Sequence, residues 1–158
     1  MRAKAALQGL VAWGALHPKK TALFSGLILP LAFAPFFILP IFYLAYGAFF
    51  ALWARADNLR AAFVLGWLFG FGQFFSGLIW MGEAFLVEAE RFLWALPFAI
   101  TLLPAGLAAF PALAAGLAFW ARRRFALAPL SAALLVALAL ALAAYMRSTI
   151  LTGLPWNL

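Results

Sequence analysis

Two long stretches of the chain contain no charged residue, and they decide what the chain can fold into. One runs for 34 residues from Thr21 to Ala54, and the other for 30 residues from Phe92 to Ala121. A helix rises about 1.5 Å per residue, so crossing roughly 30 Å of hydrocarbon takes about 20 such residues. Only 9% of the chain is charged, against about a quarter in soluble domains. The sequence therefore predicts an all-α, polytopic membrane protein.

The apolar runs divide into about five transmembrane helices. The first run is too long for one crossing and suits two short ones, with the segment from Pro35 to Pro40 as the turn. The predicted spans are residues 21–37, 38–54, 61–82, 92–121 and 125–146. The fourth span exceeds one crossing, so it must tilt, kink or begin in the interface. Its prolines Pro97, Pro104 and Pro111 recur every seven residues and favour bending towards one side.

The first 20 residues form a segment of their own. Its apolar part, from Ala5 to Leu16, has 12 residues between basic residues on both sides and is too short to span. A signal peptide would end in a small-residue cleavage site, whereas lysines and a further span follow here. We predict a short N-terminal interfacial helix on the cytoplasmic face within residues 1–20, and a helical transmembrane domain in residues 21–158.

The positions of Lys and Arg predict the orientation of the spans. With five spans, one side receives nine of the eleven basic residues and the other receives only Arg91 and Arg147. Basic residues accumulate on the cytoplasmic side, so the N-terminus is expected there and the residues after Met146 in the periplasm. All three glutamates then fall in one outer loop. The net charge of +7 does not indicate nucleic acid as a partner, because no basic face is interleaved with exposed aromatic side chains.

The third span carries small residues four positions apart, Gly66 with Gly70 and Gly72 with Ser76. Small residues at this spacing let helix backbones approach closely. We predict that these four residues form a helix-packing seam; a groove for a lipid chain is the alternative. Gln73 lies mid-membrane between them and is expected to form a hydrogen bond to another helix.

Groups for catalysis are scarce. The chain has no Cys, which excludes disulfides, thiolate metal sites and a cysteine nucleophile. Its four serines lack an elbow motif or a paired histidine, and His17 has no second ligand or base nearby. The sequence therefore predicts no catalytic residue, no metal site and no cofactor.

A family resemblance is carried by three segments, which run from Pro30 to Phe36, from Gly66 to Trp80 and from Leu151 to Asn157. In this order they resemble the N-terminal membrane region of the apolipoprotein N-acyltransferase family. The stretch from Trp80 to Gly106 is similar to the alphaproteobacterial members. The resemblance covers nearly the whole chain from about Thr21 onward.

The resemblance implies a bacterial inner-membrane enzyme that moves an acyl chain from a phospholipid to the N-terminal amine of a diacylglyceryl-cysteine lipoprotein. In that family a periplasmic nitrilase-like domain with Glu, Lys and Cys carries the chemistry, and this sequence does not contain it. We therefore expect an N-terminal fragment that is inactive without that domain. Its partners would be membrane phospholipid and, when the missing domain is supplied, the lipoprotein substrate. Ala144 to Arg147 stands where relatives have a Glu-Trp-Leu-Arg-like stretch, and only Arg147 keeps its place.

The acyl donor and the lipidated acceptor of such an enzyme both lie in the outer leaflet, so a substrate pocket must open at that depth. Five residues at the outer ends of the third and fifth spans are the candidates for contacts with lipid and substrate: Trp80, Glu83, Arg147, Pro155 and Trp156. Two other interpretations stay open. One is a small non-enzymatic transporter or assembly subunit, which would need more polar residues at the midplane than Gln73. The other is a non-functional truncated remnant.

Overall fold

The computed structural model describes residue 14, residues 16–87 and residues 89–150, with the backbone alone for Ala84. These residues contain helices and no strand, which confirms the all-α class. The helices are α1 (Pro18–Ile28), α2 (Leu39–Ala54), α3 (Leu59–Leu78), α4 (Glu83–Val87), α5 (Ala89–Phe92), α6 (Leu96–Leu107), α7 (Ala109–Arg124) and α8 (Pro129–Ile150). Three short 3-10 turns, at Leu29–Ala32, Ile79–Gly82 and Leu93–Ala95, extend or connect them.

By length and composition, three helical stretches within the described ranges could cross a membrane: Leu59–Val87, Ala89–Arg124 and Pro129–Ile150. The first two predicted spans form a hairpin of shorter helices, since α1 has 11 residues before its 3-10 turn and α2 has 16. The count of five spans therefore stays a prediction. The N-terminal interfacial helix falls almost entirely outside the described residues.

Four helices begin with a proline in the first turn, where its missing N–H costs no hydrogen bond. These prolines are Pro18 in α1, Pro40 in α2, Pro97 in α6 and Pro129 in α8. The last of the predicted spans thus begins at Pro129 rather than at residue 125, because the residues from Phe125 to Ala128 connect α7 to α8.

The fourth predicted span is broken. α6 ends at Leu107, Ala108 forms a turn, and α7 follows. Pro111 has no N–H to donate to the carbonyl of Leu107, and its ring pushes against the preceding turn. The regular helix is therefore interrupted at Ala108. The indole N–H of Trp67 donates a hydrogen bond of 3.2 Å to the carbonyl of Ala105, in the last turn of α6.

α3 lies between α7 and α1, and its four small residues divide between these two neighbours. A Cβ atom on Gly66 would lie 2.6 Å from the carbonyl oxygen of Pro111 in α7, and one on Gly70 would overlap the ring of the same proline. A Cβ on Gly72 would meet the backbone of α1, 2.8 Å from the nitrogen of Leu27. At both interfaces, with α7 and with α1, the backbones are too close for a side chain at these glycine positions.

The contact between α3 and α1 is made by backbone atoms. A Cβ on Gly26 of α1 would overlap the carbonyl oxygen of Phe69. The hydroxyl of Ser76 lies 2.8 Å from the carbonyl oxygen of Leu27 and 2.9 Å from that of Gly72, so its proton bonds to a helix carbonyl in either orientation. α1 and α3 are thus held by van der Waals contact and by a hydroxyl that crosses between them.

Large aromatic side chains fill the core that α3 shares with α2. The rings of Phe49 and Phe69 stack with their centroids 4.6 Å apart, and both side chains are buried. Trp53 is also buried, and its indole N–H donates a hydrogen bond of 2.9 Å to the carbonyl of Ala115 in α7. A buried indole needs such a partner, and this bond fixes the end of α2 against α7.

The connection from α2 to α3 and the connection from α7 to α8 lie at one end of the bundle, where arginines tie them together. Arg122 donates a hydrogen bond of 2.8 Å to the carbonyl of Ala54, and its guanidinium carbon lies 5.6 Å from the centre of the Trp53 ring. Arg123 donates to the carbonyl of Asp57 at 3.4 Å. Cations suit these positions because helix carbonyls carry partial negative charge at a C-terminus. We call this end the basic end; its residues are Lys19, Lys20, Arg55, Arg60, Arg122, Arg123 and Arg124.

We expect Gly72→Ala to lower the free energy of unfolding by about 1–3 kcal/mol, because the added methyl group overpacks the α1–α3 contact. Thermal unfolding of the purified chain in detergent measures this effect. The matched control is Gly47→Ala in α2, where no atom lies within 4 Å of the added Cβ. There Ala improves helix propensity by up to about 1 kcal/mol. Equal unfolding temperatures for the two variants would contradict the packing described above.

Candidate functional site

Two of the candidate site residues stand on the protein surface. After α3, the 3-10 turn Ile79–Gly82 leads the chain into α4. Trp80 lies in this turn and is 56% exposed, and Glu83 at the start of α4 is exposed as well. The turn packs on α6, with the Cβ position of Gly82 3.0 Å from the side chain of Leu96.

Arg147 occupies a different environment. It is the last basic residue of the chain, about 27 Å along α8 from Pro129, which lies at the basic end. Its side chain is only 5% exposed, and its guanidinium carbon lies 5.0 Å from the centre of the Phe74 ring of α3. Arg147 therefore points into the bundle and meets a desolvated aromatic face, where a cation–π contact is strongest.

Arg147 lines a cavity of about 230 Å³ between α2, α3, α7 and α8. Half of the lining residues are aromatic: Phe33, Phe42, Tyr46, Phe69, Phe74 and Phe110. Besides Tyr46 with its hydroxyl, the polar side chains in the wall are those of Arg147 and Gln73. Gln73 directly precedes Phe74, whose ring the guanidinium of Arg147 contacts. The cavity thus combines an aromatic lining with one cationic and one amide group at the end opposite the basic end.

A second cavity of about 490 Å³ adjoins the first and lies between α2 and α8. Four residues line both cavities: Phe42, Tyr46, Leu140 and Ala144. We call this second cavity the slot. It is wide because small residues face it, namely Gly47, Ala137 and Ala141. Tyr43 at its side is exposed, so the slot opens laterally from the bundle. Its volume falls within the range of about 300–1,000 Å³ typical of small-molecule sites.

Together the two cavities suit a molecule with one charged end and one apolar chain. An anionic group beside Arg147 would gain a charge-assisted hydrogen bond in a poorly solvated place, where such bonds are strong. An acyl chain would extend along the slot between α2 and α8. Within the ranges that the structure describes, no group of three His, Asp or Glu residues is placed to hold a metal ion.

The structure brings together only part of the predicted site. Arg147 lies in the cavity, whereas Trp80 and Glu83 are not among the residues that line it. Pro155 and Trp156 lie outside the described residues. Phe42 and Tyr46 were not predicted as site residues from the sequence, although their spacing of one helical turn in an apolar run places them on one face of α2.

Comparison with known proteins places the chain in a family. Residues 25–158 match the family model described as the apolipoprotein N-acyltransferase N-terminal domain. The relative from Rhizobium etli (strain CIAT 652), named apolipoprotein N-acyltransferase, is 50% identical over 102 residues, which cover 63% of this chain and 18% of the relative.

Two further relatives of the same name match more of the chain. The protein from Rhodopseudomonas palustris is 39% identical over 155 residues, covering 94% of this chain and 28% of the relative. The protein from Caulobacter vibrioides is 46% identical over 142 residues, covering 87% and 26%. The chain therefore belongs to the apolipoprotein N-acyltransferase family and corresponds to its N-terminal membrane region, as the resemblance predicted. The aligned region spans 18% to 28% of the lengths of these three relatives.

We expect Arg147 and Phe74 to be energetically coupled by about 2 kcal/mol, because their cation–π contact is desolvated. A double-mutant cycle with Arg147→Gln and Phe74→Leu, followed by thermal unfolding in detergent, measures the coupling. The matched control is the pair Arg124 and Phe125, which is exposed and has its cation 5.7 Å from the ring centre. That pair should give about 0.5 kcal/mol. A coupling no larger at Arg147 than at Arg124 would rule out the stronger contact.

Proposed function

We propose that the chain is the N-terminal membrane domain of an apolipoprotein N-acyltransferase and that it holds the acyl-donor phospholipid in the membrane. The observation that carries this proposal is the buried Arg147, which lies in an aromatic cavity continuous with a lateral slot between α2 and α8. A phospholipid has the matching form, with an anionic phosphate at one end and apolar chains at the other. Family membership supplies the reaction, transfer of an acyl chain to the N-terminal amine of a lipoprotein.

The charges of the bundle support a definite orientation in the bacterial inner membrane. Seven basic residues gather at the basic end, which is the pattern of a cytoplasmic face. With that end in the cytoplasm, Arg147 lies at the level of the outer leaflet, about 27 Å along α8. A donor phospholipid of the outer leaflet could then enter the slot sideways and reach Arg147 with its phosphate.

The proposed role of these residues is binding and orientation. The guanidinium of Arg147 would hold the phosphate, the aromatic wall would exclude water, and the slot would align the acyl chain. Holding one reactant in place removes much of the entropic cost of a two-substrate reaction. Bond making and breaking would belong to the family's nitrilase-like domain. Trp80, Glu83, Pro155 and Trp156 are proposed to contact the lipid or the lipoprotein near the outer surface.

A chimera tests the proposal. Residues 1–158 replace the corresponding region of the Caulobacter vibrioides relative, and the chimera is expressed in cells depleted of their own enzyme. Mass spectrometry of lipoprotein N-terminal peptides then measures the N-acylated fraction. We expect Arg147→Gln to reduce the initial rate of N-acylation about 10- to 100-fold, as loss of a hydrogen bond to a charged group predicts. Arg124→Gln is the matched control and should leave the rate unchanged, because Arg124 is exposed at the basic end.

The slot is tested separately from the arginine. Ala141→Phe places a ring inside the slot, whereas Leu142→Phe adds a ring to an adjacent exposed position that does not line it. We expect the first variant to slow N-acylation about tenfold, an effect of the size that a misplaced substrate produces, and the second to leave the rate unchanged. An active chimera that tolerates both Arg147→Gln and Ala141→Phe would overturn the assignment of this cavity to the acyl donor.

A further inference from the structure

The basic end holds a cavity of its own, with a volume of about 610 Å³. It lies where the start of α1, the end of α2 and the start of α3 meet. Three basic residues line it, Lys19, Arg55 and Arg60, together with the carboxylate of Asp57. Apart from Asn58, the other lining residues are apolar, among them Leu52, Val64 and Leu65.

The three basic residues of this cavity differ from the arginines at the end of α7. Arg122 and Arg123 donate hydrogen bonds to the carbonyls of Ala54 and Asp57 and lie over aromatic rings, so they fasten the connections between helices. Lys19, Arg55 and Arg60 come instead from α1, the α2–α3 connection and α3, and they converge on one space. The orientation of a membrane protein requires basic residues on one side, but it does not require them to share a cavity.

The backbone adds to the positive character of this space. The cavity includes Asn58 and Ala61, at the first turn of the 20-residue helix α3. The side chain of Asn58 accepts a hydrogen bond of 2.8 Å from the N–H of Ala61 and so begins the helix at this point. The partial positive charge of a helix N-terminus therefore faces the same cavity as the three cations.

We propose that this cavity binds the phosphate group of an anionic phospholipid from the leaflet at the basic end. Three cations against one carboxylate favour an anion, and arginine forms two parallel hydrogen bonds to phosphate. The apolar wall around Val64 and Leu65 gives the first carbons of the acyl chains a dry surface, which a free phosphate ion would not use. A basic recess between transmembrane helices is a recurrent form of such headgroup sites.

This lipid site is separate from the Arg147 cavity. Arg60 and Phe74 both belong to α3, and their positions differ by about 21 Å along its axis. A lipid bound among Lys19, Arg55 and Arg60 would connect the start of α1 to the α2–α3 connection. It would stabilise the hairpin of the two shorter helices and would take no part in acyl transfer. The inference therefore does not depend on the proposed function.

Native mass spectrometry of the purified 158-residue chain tests the proposal. The chain is released from detergent micelles that contain either phosphatidylglycerol or phosphatidylethanolamine, and bound lipid is counted across a concentration series. We expect phosphatidylglycerol to bind about tenfold more tightly than phosphatidylethanolamine. Arg55→Gln with Arg60→Gln should weaken phosphatidylglycerol binding about 30-fold, and Arg60→Gln alone about fivefold.

The matched control is the double variant Lys20→Gln with Arg124→Gln, two exposed basic residues of the basic end that do not line the cavity. It removes the same charge from the same end of the bundle but leaves the cavity lining intact. We expect it to change phosphatidylglycerol binding by less than about threefold. An equal loss of phosphatidylglycerol binding in the two double variants would show that only the total charge of this end matters. The proposed binding site would then be wrong. If the cavity double variant does not fold, the single variant Arg60→Gln decides between the same two outcomes.

Competition separates a lipid from a soluble anion. Inorganic phosphate and glycerol phosphate are added in excess to the complex with phosphatidylglycerol. Retention of the lipid is the expected result, because the apolar wall contributes to binding. Displacement by inorganic phosphate would show that the cavity recognises the anion alone, and the assignment to phospholipid would then be wrong.

Discussion

The backbone contact of α3 with α1 and α7 is the constraint on which the other features of the bundle depend. Lipid tails are as apolar as leucine, so helices in a membrane associate through close van der Waals contact at small residues. Gly72 supplies that contact towards α1 and Gly66 towards α7. The same helix carries Phe69 and Phe74 between these positions, and both line the Arg147 cavity. The packing seam and part of the cavity wall are therefore built by one helix, in which small residues alternate with phenylalanine.

Charge is distributed along the bundle in two different ways. At the basic end, Arg122 and Arg123 lie at helix C-termini, where their cations satisfy carbonyl groups and remain close to water. Arg147 at the other end is buried against Phe74. A buried guanidinium lacks bulk water, so its attraction to an anion is screened less than at the exposed end. Under the proposed roles, the basic end would retain a lipid and the Arg147 cavity would select one.

The sequence predicted the helical class and the family. It did not predict that Arg147 turns into the bundle, because α8 is apolar on every side and no polar face indicates which way it packs. Periodicity shows that Gly66 and Gly70 share a face, but it does not say which helix meets that face. Gly26 was overlooked for the same reason, since its partner lies on another helix. The span assignment and the count of basic residues predicted that Trp80 and Glu83 lie at about the same depth in the membrane as Arg147. Residues at the same depth need not line the same cavity, and these do not.

The break at Ala108 has a mechanical consequence. α7 is held to its neighbours by many buried small residues, whereas only Pro104 and Leu107 of α6 are buried. The two halves of this span therefore differ in stiffness. We expect the less firmly packed half to tilt when bilayer thickness changes, while α7 keeps its register with α3. The end of the domain farther from the basic end would thus follow the surrounding membrane, while α7 holds its part of the Arg147 cavity wall in place.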